Sequence, residues 1–165
     1  MEKKIITDGI RFGYNGIFDI VEFYKFVEDW MRRKGLEKDI KNKAEYVNPS
    51  GKQIEWKIEM WKDVSDEARH VVKLRALLNN VTEVEIKKDK SARRLNQGDA
   101  LIIIDGWLET DYTGRWQQKP LFFFLRALYD KYIWKFWSNR YEKNIEIDCY
   151  DLLKQMKAFF NMYNI

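Results

Sequence analysis

The chain has 165 residues, 45% of them hydrophobic and 16% aromatic. That is enough apolar surface for one cored domain over residues 1–165, and it excludes a disordered chain. Charged residues make up 34% with a net charge of only +4, a dense mixture of signs rather than the concentrated excess of a dedicated nucleic-acid binder. With one cysteine and one histidine, an internal disulfide and a metal centre built on several histidines are excluded; no metal and no cofactor are expected, and a cytoplasmic location is.

In chain order, residues 3–14 form a first strand, with Ile6, Ile10 and Phe12 sharing parity. A helix follows over 17–34. Asn15 is its expected N-cap, Ile17, Ile20, Tyr24, Val27 and Met31 follow the helical period, and Gly35 stops it.

About five extended, alternating segments then fill residues 44–112. Ile54, Trp56, Ile58 and Met60 share one face, opposite Glu55, Lys57 and Glu59. Val72, Leu74, Ala76 and Leu78 alternate with Lys73 and Arg75. Asn79-Asn80 reads as a two-residue hairpin turn, because Asn tolerates positive φ, and Thr82, Val84 and Ile86 return. After a polar loop, Asp99 to Tyr112 forms a long strand. Its inward residues include Ile102 and Ile104, while Leu101, Ile103 and Trp107 make the other face apolar too, so this strand is central or covered at one end.

Pro120 opens an aromatic-loaded helix that runs to Trp137. A last helix spans 149–163, capped by Asp148, and residues 140–147 join the two. No apolar run approaches the roughly 20 residues that span a bilayer as a helix.

The fold class is α+β: a curved antiparallel sheet with a long C-terminal helix lying against it, an N-terminal helix after strand one, and an extra helix at the end. This order resembles the helix-grip fold of the START-like superfamily, which includes polyketide cyclases and lipid-transfer domains. The resemblance rests on element order over most of the chain, not on a residue motif, so no functional residue is carried over. It implies a cavity between sheet and long helix for an apolar or amphipathic small molecule.

By parity and helix phase the lining of such a cavity would be Trp56, Ile58, Leu74, Ile104, Phe124 and Leu128, with His70 as the polar contact. His70 is also the weak candidate for a general acid or base; a hydrogen-bonded histidine at a strand end is the competing reading. Cys149 falls on the apolar stripe of its helix, which favours a structural thiol over a nucleophile. Pro49-Ser50-Gly51-Lys52 lacks the spacing of a phosphate loop and reads as a turn. Lys87, Lys88, Lys90, Arg93 and Arg94 form the densest basic stretch, a weaker pointer to nucleic acid or an assembly partner. Trp61 and Trp107 have outward parity, a route to self-association unless a bulge turns them in. Three functions compete: a ligand-binding protein, an interaction protein, and a cavity enzyme of cyclase or hydratase type.

Overall fold

The structure is a computed structural model that describes residues 2–88, 91–110, 128 and 135–163. The elements are β1 (Glu2–Phe18), α1 (Ile20–Arg33), β2 (Glu37–Asn48), β3 (Gly51–Asp63), β4 (Ala68–Lys88), β5 (Ser91–Thr110) and α2 (Lys135–Asn161). The strands form one curved, open antiparallel sheet in the order β1-β5-β4-β3-β2, so β5 is an interior strand, between the β1 edge and β4. Most of the expected helix over 120–137 lies outside the described residues.

Both helices pack on one face of the sheet. Phe23, Val27 and Trp30 of α1 join Ile145, Cys149, Leu152, Met156 and Phe160 of α2 in a core with Trp56, Ile58, Leu74, Ile102 and Ile104. The alternation in the sequence explains this, since even-numbered residues of β3, lower β4 and β5 all turn to the same side.

Several expectations are corrected. The first helix is capped by Asp19, whose Oδ1 accepts from the backbone N–H of Val21 at 3.0 Å and of Glu22 at 3.3 Å. Asn15 instead remains in β1 and hydrogen-bonds Asp99. Glycines did not end the strand early: β1 continues to Phe18, with irregular register between Ile5 and Ile10, where Gly9 has φ 65°.

Asn79-Asn80 is not a hairpin turn. β4 runs through it unbroken for 21 residues, and the extra residue is taken up as a bulge between Asn79 and Thr82. Asn80 does adopt a positive φ of 55°, which is why the composition looked like a turn. Glycines flank the bulge on both sides. A Cβ at Gly51 would lie 2.8 Å from the Asn80 carbonyl carbon, and one at Gly98 would lie 2.9 Å from the Asn79 carbonyl oxygen. The polar loop expected after β4 is accordingly the first half of β5. Asn80→Gly is expected to leave stability unchanged within about 0.5 kcal/mol, whereas Asn80→Val should cost about 1–2 kcal/mol through the left-handed backbone. Urea unfolding of the two variants checks this.

Within the described residues the last helix already runs from Lys135, well before Cys149. Tyr141, Ile145, Cys149, Leu152 and Met156 follow one helical stripe with no Gly or Pro between them, so nothing breaks the helix at 140–147. Asp148 lies inside it and does not cap it.

The outer face of the sheet is apolar at its centre, as the sequence indicated: Val71, Ile103 and Trp107 are all buried. Trp107 is therefore not an exposed surface for self-association. It is 4% exposed, its indole N–H donates to Glu109 at 3.0 Å, and Lys3 Nζ lies 3.8 Å from its ring centre. Trp61 is half-buried beneath the Arg69 guanidinium, 4.0 Å from its ring centre.

Candidate functional site

The sheet brings the expected lining residues together. Ile58 pairs with Leu74, and Leu74 with Ile104, in one row across three strands. Trp56 lies one inward position further along β3, with Tyr24 at 4.8 Å and Phe23 at 6.0 Å between ring centres. All four are buried in the core together with side chains of both helices. Leu128 is 43% exposed, and Phe124 lies outside the described residues.

His70 faces the same side from β4, in register with Lys62 on β3 and Leu108 on β5. It is 1% exposed. Its Nε2 lies 3.3 Å from Asp148 Oδ2, near enough for electrostatic contact but misaligned for a hydrogen bond. Burial is the main cause of a pKa lowered to about 4, so the imidazole is neutral at pH 7. A base needs access to a substrate proton, and the pockets described below do not reach His70. Next to Asp148, burial pushes the Cys149 thiol up to about 12. It is a structural thiol and not a nucleophile, as its place on the helix stripe implied.

The basic stretch forms a two-stranded arm in which β4 and β5 extend beyond the end of β1. Lys87, Arg93 and Arg94 are exposed on it; Lys90 and the side chain of Lys88 lie outside the described residues. Adjacent strand residues point to opposite sides, so Arg93 and Arg94 do not form one patch. Arg94 sits opposite Glu85 in the ladder, and Arg93 reaches Asp19, 3.4 Å away.

Where this arm meets the start of α1 and the end of α2 there is a groove of about 520 Å³. Ile17, Ile86, Leu95, Met162 and Tyr163 give it apolar walls, and Glu22 and Arg93 add one charge of each sign. Leu95 is buried, whereas Met162 is 71% exposed. Tyr163 continues inward through an edge contact with Phe159 at 5.5 Å. Neither Trp56, Ile58, His70, Leu74 nor Ile104 lines this groove or two other surface pockets. One of those lies at Phe26, Asp29, Arg32 and Arg33, and the other is a polar depression around Trp61 and Glu59.

Sequence reasoning missed the groove because it needs residues 91–98 to be a strand. The signal was present: Val84 and Ile86 alternate with glutamates, and Leu95 falls opposite Val84 once the arm is zipped.

No metal-binding group of three or more His, Cys, Asp or Glu side chains occurs among the described residues, and no described helix is long and apolar enough to cross a membrane. No family model matches the chain, and no curated protein or solved structure is significantly similar to it.

Proposed function

We propose that this protein binds a small hydrophobic or amphipathic molecule, and that the ligand enters through the groove between the β4–β5 arm and the end of α2. The observation that carries the reading is a groove of about 520 Å³ with mainly apolar walls and, among the described residues, two charged side chains, within the size range of small-molecule sites. The helix-grip resemblance supports it. The first strand lies beside the last, and both helices share the inner face, an arrangement that would bring a ligand between sheet and helix. The buried row of Ile58, Leu74 and Ile104 belongs to the sheet–helix core and does not line the groove itself. A reducing, cytoplasmic setting accords with the single buried thiol.

The test is a titration with a fluorescent long-chain fatty acid at physiological salt, alongside native mass spectrometry of freshly purified protein. Ile86→Glu places a charge in the groove wall on the half-buried arm. It should weaken binding by about tenfold or more without changing the circular dichroism spectrum. Saturable binding that Ile86→Glu leaves intact but Trp56→Ala abolishes would move the ligand from the groove into the sheet–helix layer. Co-purified nucleic acid, with binding that weakens steeply in salt and is lost when Lys87, Arg93 and Arg94 are neutralised, would favour the interaction-protein reading instead.

A further inference from the structure

His70 sits where α1, α2, β3 and β4 converge. Asp148 approaches it from α2, Lys62 from β3, and Lys34 from the C-cap of α1. Around this point the charges are already matched. Lys34 Nζ lies 3.4 Å from Asp148 Oδ1 and 3.4 Å from Asp151 Oδ2. Asp151 accepts from the Trp30 indole at 3.0 Å and from Gln155 at 3.0 Å. Lys62 donates to the Lys34 carbonyl at 3.4 Å. The histidine Nε2 is buried with no hydrogen-bond partner among the described residues.

We propose that His70, buried beneath Asp148, is an acid-sensitive latch: the middle of α2 packs against the sheet while the imidazole is neutral, and acidification releases it. The physical reason is the charge count. A neutral imidazole fits beside an Asp148 carboxylate that Lys34 already balances. A proton on His70 would add a cation to a buried site that already holds two ammonium groups, and no further described carboxylate faces it. Burial is the largest obstacle to that proton; Asp148 opposes it, and Lys62 and Lys34 reinforce it.

The direction follows from the shift. In the open form the imidazole is solvated and titrates near its ordinary value of 6.5, against about 4 in the closed form. Above 6.5 both forms are neutral and pH has no leverage. Between those values the open form takes up a proton that the closed form refuses. The open population then rises by up to about tenfold for each pH unit lost.

The chain has a single histidine, so in untagged protein its ring resonances report this latch alone. The experiment combines NMR of that ring with amide hydrogen exchange between pH 7 and 4.5, corrected for intrinsic exchange. Amides of residues 145–152 should lose up to about tenfold of protection per pH unit below 6.5, while those at the centre of β5 do not. His70→Leu should remove the slope; if that variant fails to fold, His70→Gln should do the same. The proposal is overturned if the ring titrates freely near 6.5 with protection unchanged. It is also overturned if the slope survives in the variants, or if β5 loses protection in step with α2, which would be global acid unfolding.

Discussion

Replacing Gly106 by valine is expected to cost at least about 3 kcal/mol, or to prevent folding altogether. Gly106 lies in the interior strand β5, in register with Thr7 on β1 and Val72 on β4. A Cβ there would meet Cys149 Sγ at 2.5 Å and Ile145 Cγ2 at 2.8 Å. Neither atom can retreat cheaply, because Ile145 and Cys149 are both fully buried on consecutive turns of α2. The helix would have to lift off the sheet. Alanine is the milder probe, at about 1–3 kcal/mol. If the contact with sulfur is the cause, Gly106→Ala should cost about 1 kcal/mol less in a Cys149→Ala background, a coupling that a double-mutant cycle in urea reads directly. Unaltered stability in Gly106→Val would mean that α2 does not lie this close in solution. The same approach sets Asp148, next to Cys149, against His70, so a lifted helix should also abolish the pH response of the latch.

Parity carried the inner face of the sheet. Trp56, Ile58, Leu74 and Ile104 could be placed together from the sequence because period-2 burial is the strongest signal a half-buried antiparallel strand leaves. The interior place of β5, paired on both sides, was legible for the same reason, since both of its faces are apolar. The Asn79-Asn80 pair misled because positive φ serves a hairpin and a bulge equally. Only the partner strands decide between them, and the deciding residues, Gly51 and Gly98, are distant in sequence. Trp107 has outward parity as expected, but burial on the outer face is a tertiary fact that parity does not encode. The start of α2 was misplaced because Asp148 before an apolar run is an N-cap pattern; here its carboxylate turns inward to His70. The groove was invisible for a compound reason, requiring both the zipped arm and the end of α2 at Met162 and Tyr163.

Truncating Phe160 to alanine should destabilise the chain by about 3–5 kcal/mol. The ring is fully buried, with centroids of Tyr14 at 4.7 Å, Phe159 at 5.3 Å, Phe18 at 5.7 Å, and Phe12 and Phe23 each at 5.8 Å. These partners come from β1, α1 and α2, so one side chain joins three elements that share no backbone hydrogen-bond ladder. The loss combines transfer of the ring with a cavity that its aromatic neighbours cannot close without giving up their mutual tilted and edge contacts. Phe160→Leu keeps most of the volume and should cost clearly less, about 1–2 kcal/mol. Urea midpoints at unchanged slope measure both; a cost below about 1 kcal/mol for the alanine variant would contradict this packing. A second readout follows from the chain itself. Met162 and Tyr163 sit just beyond Phe160 and wall the groove, so Phe160→Ala should loosen that wall and weaken ligand binding even under conditions where the protein remains folded. Gly106 and Phe160 thus fix α2 at two points, by close approach in its middle and by aromatic packing at its end, and only the second should carry through to the groove.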